Sequence, residues 1–305
     1  MELRFDNPFT ETGYWLKGNL HTHTTVSDGV RSPQNCVDHY AENGFDFLSI
    51  TDHGSVVDPS GLNSRNMILI PGEELCLGRS RAGSTFHLVL LGLKQALPFK
   101  DFNHDENPQR AIDMVDNLGG LTILAHPYWS GLQHMDLLQL KGYFGVEIYN
   151  TSCEVYRGTG YSRSHIDGLL ADGRNVKIFA TDDHHGAPEP LKQSDSCGAW
   201  IMVKSKERDP KSILDSIKNG YFYASNGPEF KKISIEDGII HVETSPVRHI
   251  TFYSTPSLGS RFTAERGNLT SYSYHGREGE AYVRVEATDE TGRTAWSNPI
   301  FVEKN

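Results

Sequence analysis

The chain has 305 residues, of which 37% are hydrophobic and 22% are charged, and these proportions are ordinary for a soluble globular protein. This length accommodates one large α/β domain, or a domain of more than about 200 residues followed by a small one. The formal net charge of -10 argues against a general nucleic-acid surface and against binding to anionic membranes. It permits an anionic substrate, because bound divalent cations would reverse the sign of the charge locally.

The cysteines and the apolar runs indicate a cytoplasmic protein. No Cys-x-x-Cys pair occurs, so neither a thiolate zinc site nor a disulfide framework is predicted, and we expect buried thiols in a reducing compartment. No apolar run approaches the length of a membrane span, and the first residues lack the apolar region of a secretory signal. The four cysteines are Cys36, Cys76, Cys153 and Cys197.

The stretch from His21 to Gly29 carries the first candidate ligands. It follows a predicted strand over residues 16–23, on which residues two apart point to one face. His21 and His23 therefore form half of a metal site, and Asp28 brings a carboxylate back after a polar turn. Ser32 and Pro33 then predict the start of a helix, and Asn107-Pro108 and Asp209-Pro210 predict two further starts later in the chain.

Further along the chain, apolar runs of strand length repeatedly end in metal-binding side chains. We predict strands at 45–50, 67–70, 86–91, 121–125, 145–150 and 176–180, with helices between several of them. Polar chemistry at the carboxyl ends of alternating strands and helices is typical of a parallel α/β barrel, whose active site lies on that face. The side chains at or near these ends are His53, Glu73, Glu74, His87, His126, Asp182, Asp183, His184 and His185.

The pattern changes after about residue 229. Short β-type runs are separated by turns such as Asp237-Gly238, and no helical pattern occurs. Such runs predict a small antiparallel sandwich. We therefore predict two domains, a barrel over residues 1–227 and a small β-sandwich (Ig-like) over residues 228–305.

The candidate ligands offer only nitrogen and oxygen, a set that suits zinc, iron, manganese or nickel. Nine ligands are too many for one ion and fit two or three. A cluster of divalent ions generates hydroxide near neutral pH and binds the oxygens of a displaced phosphate or ester. The nine are His21, His23, Asp28, His53, Glu74, His87, His126 and an Asp-x-His pair near Asp183 and His185.

The motifs that carry these ligands resemble the PHP (polymerase and histidinol phosphatase) superfamily. His-x-His with Ser-Asp-Gly, Thr-Asp-His-Gly, Pro-Gly-x-Glu, Ala-His-Pro and Asp-x-His occur in that order within residues 16–227. The segments 222–228 and 292–299 also resemble CehA/McbA-type members. The resemblance implies a distorted (β/α)7 TIM-like barrel with a trinuclear metal centre on its C-terminal face, followed by a β domain. Phosphoester hydrolysis is the commonest activity of the superfamily, and some relatives hydrolyse carbamates or other esters.

The resemblance also implies the role of each ligand. Glu74 would bridge the first and second metals, with His21, His23 and the Asp of the Asp-x-His motif on the first, His87 and His126 on the second, and Asp28, His53 and the His of that motif on the third. Two registers remain open at this point. Glu73 lies beside Glu74, and both Asp182/His184 and Asp183/His185 satisfy Asp-x-His, although the His-Gly ending favours the second pair. The unused pair would support the ligands or face the substrate.

Other polar residues have two readings each. Arg79 and Arg81, in a Gly/Ser-rich loop, would bind a substrate phosphate or form a solvated basic loop. Tyr128 would line the pocket or pack at its rim. Glu147 and Asn150 would lie on the active face or cap a strand.

These features favour a multinuclear metal-dependent hydrolase, most simply a phosphoesterase acting on a small soluble substrate. Two or three divalent ions (Zn, Fe or Mn) would supply a bridging hydroxide as nucleophile, so no protein nucleophile is needed. No Gly-x-Ser-x-Gly elbow and no phosphate loop occur. The alternatives are a carboxylic or carbamic ester or amide hydrolase with the same metal site, and a non-catalytic metal- or carbohydrate-binding protein.

Overall fold

The structure is a computed structural model that describes residues 2–186, 194–255 and 258–303. It is a mixed α/β fold, in which helices occur up to residue 218 and strands alone thereafter within these ranges. The helices are α1 (Pro33–Glu42), α2 (Pro108–Asn117), α3 (His134–Gln139), α4 (Thr151–Arg157), α5 (Arg163–Ala171) and α6 (Pro210–Lys218), with a short 3-10 helix at Pro59–Gly61.

The strands fall into an earlier set and a later set. The earlier strands are β1 (Glu2–Arg4), β2 (Tyr14–Asn19), β3 (Phe47–Leu48), β4 (Ile68–Leu69), β5 (Gly72–Leu77), β6 (Phe86–Leu91), β7 (Leu121–Leu124), β8 (Gly145–Asn150), β9 (Lys177–Thr181), β10 (Trp200–Ser205) and β11 (Phe222–Ser225). The later strands are β12 (Phe230–Glu236), β13 (Ile239–Val247), β14 (His249–Ser254), β15 (Gly259–Thr263), β16 (Leu269–His275), β17 (Tyr282–Thr288), β18 (Thr294–Trp296) and β19 (Ile300–Glu303).

Three helices begin where an N-cap residue and a proline predict a start. The side chains of Ser32, Asn107 and Asp209 each accept a hydrogen bond from a backbone N–H in the first turn of α1, α2 and α6, and a proline follows each cap. The cap satisfies an otherwise unpaired donor, and proline has no N–H to lose at that position. These predicted helix starts are confirmed.

The strands form three sheets rather than one closed barrel within the described residues. One sheet has the order β4-β3-β2-β10-β11-β18-β17-β19-β1, with β14 on β17 and β15 on β14. The second has the order β5-β6-β7-β8-β9, and the third β12-β13-β16. The finer description as a (β/α)7 TIM-like barrel therefore stays a prediction.

The strand directions differ from a purely parallel arrangement. β2-β3-β4 and β7-β8-β9 are parallel, but β5, β6 and β7 are antiparallel and β10 is antiparallel to β2. The physical reason at β5 and β6 is the length of their connection, because residues 78–85 are too few for the crossover of a dozen or more residues that parallel pairing needs. Pro71 separates β4 from β5, so Glu73 and Glu74 lie inside a strand and not after the end of one.

The first two sheets approach each other at the positions of the predicted ligands. Single β-bridges join Thr22 to His184 and His53 to Glu74. The backbone N–H of Asp183 also donates to the carbonyl of His21, at 2.9 Å. Main-chain pairing therefore brings the ends of β2, β3 and β9 and the middle of β5 to one place.

The strands after residue 228 are joined to the earlier part of the chain by hydrogen bonds. β18 pairs with β11, and β19 pairs with β1. Trp296 is fully buried and its ring stacks on that of Tyr149, with centroids 5.8 Å apart. A second apolar cluster lies among β12 to β17, around Ile233, Ile250 and Val285. The division into two domains after residue 227 stays a prediction.

None of the helices within the three described ranges is both long enough and apolar enough to cross a membrane.

Candidate metal centre

The carboxylate of Glu74 lies at the centre of the predicted ligands. Glu74 is on β5 and is 1% exposed. Its Oε2 is 3.3 Å from His21 Nε2, 3.2 Å from His23 Nε2 and 3.5 Å from His53 Nε2. Its Oε1 is 2.9 Å from His87 Nδ1 and 3.5 Å from His126 Nε2. Five imidazoles from four segments of the chain therefore surround one buried carboxylate, and its two oxygens face different groups of them.

A second carboxylate, that of Asp183, completes the group around His21 and His23. Its Oδ1 lies 3.2 Å from His21 Nε2 and 3.1 Å from His23 Nε2. This oxygen is buried and makes no hydrogen bond within the described residues. The backbone of Asp183 has a φ of 55°, and that of His126 has a φ of 27°. Non-glycine residues seldom adopt positive φ, and such conformations concentrate at functional sites.

A third group lies closer to solvent. The half-exposed carboxylate of Asp28 is 3.4 Å from His185 Nε2, 3.4 Å from His23 Nδ1 and 3.8 Å from His53 Nε2. The four side chains can present ligand atoms within 4.8 Å of one another. His23 thus stands between the first and third groups, with one ring nitrogen facing each.

Hydrogen bonds on the far ring nitrogens fix the orientation of the histidines. His21 Nδ1 is 2.8 Å from Glu147 Oε1, and His53 Nδ1 is 3.1 Å from Asp101 Oδ2. His185 Nδ1 donates to the carbonyl of Asp183 at 2.8 Å. In each case Nε2 faces the carboxylates, as in a metal-ligating histidine.

The charges of the clustered imidazoles and carboxylates shift one another's pKa values. Burial alone would raise the pKa of the Glu74 carboxyl, but the imidazoles of His21, His53 and His87 hold that pKa well below its usual range. Burial opposes protonation of His53 and His185, yet facing carboxylates raise their pKa values to about 9 and about 10. The carboxylates thus favour a cation at these positions, and without another cation the imidazolium protons supply it.

The donor set fits divalent metal ions. His21 Nε2 and His23 Nε2 are 3.2 Å apart and both face Glu74 Oε2 and Asp183 Oδ1. Tetrahedral coordination with bonds of about 2.1 Å places neighbouring ligand atoms about 3.4 Å apart. Asp183 Oδ1 supports the same conclusion. It makes no hydrogen bond within the described residues, and a buried carboxylate oxygen needs a donor or a cation.

The two candidate Asp-x-His pairs lie in different surroundings. Asp183 and His185 face the centre, whereas Asp182 points away and accepts from the hydroxyls of Tyr40 and Thr151 and from the N–H groups of residues 197–199. Burial raises the pKa of Asp182 to about 6. His184 Nδ1 is 2.6 Å from Asp195 Oδ1. Asp182 and His184 therefore support the loop that follows β9.

Glu73 lies on the opposite face of β5 from Glu74, as strand alternation requires. Its Oε1 accepts from the N–H of Leu97 at 2.8 Å, and burial raises its pKa to about 7. Glu73 makes no contact with the histidine cluster in the part of the chain that the structure describes.

The centre opens into a cavity of about 750 Å³. Phe102 and Trp129 form aromatic walls, and Tyr156 and Arg157 extend from α4. Among the described residues that line the cavity, Arg79, Arg81 and Tyr128 do not occur. Arg79 instead donates to the carbonyl of Gly83, and Arg81 donates its N–H to Asp136. Arg157 is thus the arginine that the fold brings to the cavity.

Three supporting carboxylates were harder to assign from sequence. The sequence allows two readings of Glu147 and assigns no role to Asp52 or Asp101. Asp52 accepts from Thr24 and Ser27 and so shapes the turn that carries Asp28. Asp101 joins His53 to the N–H of Cys76. Asp52 belongs to the Thr-Asp-His-Gly motif, which is a usable signal, whereas Asp101 lies in a loop with no characteristic spacing.

Comparisons with known proteins give matches of fold and of partial sequence. No family model matches the chain. An uncharacterized protein of Methanocaldococcus jannaschii is 25% identical over 124 residues, which are 37% of this chain and 68% of that protein.

Two solved structures resemble the chain. The first, from Bacteroides vulgatus, is described as a two-domain protein that contains a predicted PHP-like metal-dependent phosphoesterase, and it superimposes with a TM-score of 0.53 at 19% identity over 90% of this chain and 91% of that one. An amidohydrolase from Chromobacterium violaceum gives a TM-score of 0.43 at 16% identity over 58% of this chain and 93% of that one. The CehA/McbA-like subtype stays a prediction. At the level of the fold, the chain resembles the two-domain Bacteroides vulgatus structure, in agreement with the resemblance that its motifs indicate.

Proposed function

We propose that this chain is a metal-dependent hydrolase that cleaves a phosphoester of a small molecule. The observation that carries the proposal is the Glu74 carboxylate, 1% exposed and contacted by five imidazoles. Its Oε2 lies 3.2–3.5 Å from three imidazole nitrogens, close to the separation of neighbouring ligand atoms around one metal ion.

The residues that would hold divalent ions fall into the three groups described above. His21, His23, Glu74 and Asp183 form the first, and His23, Asp28, His53 and His185 form another. Glu74 with His87 and His126 forms the remaining one. Bound divalent ions lower the pKa of water to near neutrality and stabilise negative charge on the oxygens of a displaced phosphate.

The chain itself would bind and orient the substrate. The cavity volume of about 750 Å³ lies in the range of small-molecule sites. Arg157 offers a guanidinium for a phosphate oxygen, and Phe102 and Trp129 offer aromatic surface to the rest of the substrate. Trp129 packs edge-on against His87 and His126, with ring centroids 5.5 and 4.9 Å away, and so limits the entry of solvent to that side.

A panel of substrates with one leaving group tests the reaction class. p-Nitrophenyl phosphate, bis(p-nitrophenyl) phosphate and p-nitrophenyl acetate release the same phenolate, so rate differences report the group that is attacked. We expect turnover of a phosphate by protein reloaded with manganese, zinc or iron. We expect loss of that turnover after chelation and in Glu74→Ala, which also controls for contaminating phosphatases.

Two results would contradict the proposal in different ways. Turnover of the acetate without turnover of either phosphate would favour the ester or amide hydrolase. No stoichiometric metal and no hydrolysis of any substrate would favour a binding protein.

A further inference from the structure

The thiol of Cys76 lies against the histidine cluster. Cys76 is two residues beyond Glu74 on β5, so both side chains point to the same face of the strand. It is fully buried, and its Sγ is 3.3 Å from His87 Nδ1 and 3.6 Å from His53 Nδ1. Glu74, Cys76 and His87 can present ligand atoms within 4.8 Å of one another.

We propose that Cys76 is a thiolate ligand of the metal position formed by Glu74 and His87. The inference rests on the proposed metal centre and assigns to it a ligand that the nitrogen-and-oxygen set leaves out. A tetrahedral zinc ion with bonds of about 2.3 Å to sulfur and about 2.1 Å to nitrogen separates these two ligand atoms by about 3.6 Å. The distance of 3.3 Å between Cys76 Sγ and His87 Nδ1 is close to that separation.

Glu74 Oε1 and His87 Nδ1, which are 2.9 Å apart, would provide two ligands of this position, and Cys76 would add a third. The other ring in contact with the thiol is that of His53, whose Nδ1 also lies 3.1 Å from Asp101 Oδ2. Among the described groups of side chains that can hold a metal, Cys76 is the cysteine that takes part.

Coordination would exchange the S–H bond of Cys76 for a sulfur–metal bond, with the proton released to solvent. A thiolate is a soft ligand, so this position would favour zinc or ferrous iron over manganese. The group around Asp28, which has only imidazole and carboxylate ligands, would lack that preference. The centre would therefore contain two kinds of metal position.

Cobalt substitution tests the ligand directly. The intact protein is stripped with a chelator, reloaded with Co²⁺, and its bound cobalt is counted while the absorption spectrum is recorded. We expect a thiolate-to-cobalt charge-transfer band in the near ultraviolet for the unmodified protein. Cys76→Ser should lose this band and bind zinc at least about 10-fold more weakly at one position, with manganese binding little changed.

Cys153→Ser is the matched control, because Cys153 also lines the cavity but belongs to none of the ligand groups. It should keep the band. Full cobalt occupancy without the band in the unmodified protein would overturn the thiolate ligand and leave the metal centre standing, and this measurement does not depend on the folding of a variant. Failure to bind cobalt, zinc or manganese would overturn the metal centre and the thiolate ligand together.

Discussion

At the scale of single residues, several proposed ligands are held by side chains that do not themselves line the cavity. Glu147 is the clearest case. Its Oε1 accepts from His21 Nδ1 at 2.8 Å, and its Oε2 accepts from the N–H of His126 at 2.8 Å and from Asn150 Nδ2 at 2.9 Å. The buried carboxylate of Glu147 thus fixes the ring of His21 and the backbone of His126, which belong to different ligand groups.

Glu147→Gln should weaken zinc binding by about 10- to 100-fold, because a supporting partner fixes the tautomer and the orientation of a metal-ligating histidine. The measurement is a calorimetric titration of chelator-treated protein with zinc. Glu280→Gln is the control, since Glu280 is also buried but contacts Tyr274 in the later strands. An unchanged zinc affinity in Glu147→Gln would remove this supporting role.

The sequence predicted the ligand types at this scale better than their supports. Neighbouring residues of an extended segment point to opposite sides, so only one of Asp182 and Asp183 can face the cluster. Which of the two does so depends on the pairing of Asp183 with His21 beyond the end of β2. Glu74 and Cys76 are two residues apart, a spacing that places both side chains on one face of a strand. A search for Cys-x-x-Cys pairs does not detect this spacing. Asp101 reaches its partner Cys76 across 25 residues, so no local pattern contains it.

At the scale of elements, the buried carboxylate of Asp182 holds residues 197–199 against the end of β9. Asp182 accepts five hydrogen bonds, from Tyr40 on α1, from Thr151 on α4 and from the backbone of residues 197–199. These bonds connect two helices to the strand end that presents Asp183 and His185. Buried donors without an acceptor are costly, so we expect the hydrogen bonds of Asp182 to contribute strongly to stability.

Asp182→Ala should lower the free energy of unfolding by about 3 kcal/mol or more. It leaves several buried donors without an acceptor, at a cost of about 1–3 kcal/mol each. Urea unfolding of chelator-treated protein is the measurement, so that bound metal does not contribute. Asp209→Ala is the matched control, since Asp209 accepts from Ser212 N as the cap of α6 and should cost about 1 kcal/mol. Equal costs for the two variants would contradict the account.

Helix starts were predictable because a cap residue and a proline are local signals. Strand direction was not, because it depends on what the connection can span. The eight residues between β5 and β6 exclude a crossover, which the apolar character of the two strands does not reveal.

At the scale of the whole molecule, the later strands are bound into the earlier part of the chain. Arg284 on β17 is fully buried, and its guanidinium donates to both carboxylate oxygens of Asp167 on α5, at 2.6 and 2.7 Å. Trp296 packs on Tyr149 of β8, two residues from Glu147. Removal of these strands would expose apolar surface and leave Asp167 without its partner.

A chain that ends at Gly227 should therefore be insoluble or unfolded, although every proposed metal ligand precedes that residue. The measurement is the partition of the truncated chain between soluble and insoluble fractions, followed by a urea titration of any soluble part. The full-length control, Trp296→Ala, should fold and lose about 3–5 kcal/mol of unfolding free energy. A soluble truncated chain that unfolds cooperatively and binds as much metal as the full chain would instead support an independent domain over residues 1–227.

The central claim, that the cluster around Glu74 is a metal centre, is tested most directly by counting metal in the full-length protein by elemental analysis, beside Glu74→Ala and Glu73→Ala. We expect two or three equivalents of divalent metal in the unmodified protein. Glu74→Ala should lose at least one equivalent, because the closely spaced cations would then repel with less anionic charge between them. Glu73→Ala should keep the full number, since Glu73 faces away from the cluster. An unmodified protein without stoichiometric metal after reloading, or a metal-poor Glu73→Ala beside a fully loaded Glu74→Ala, would contradict the account.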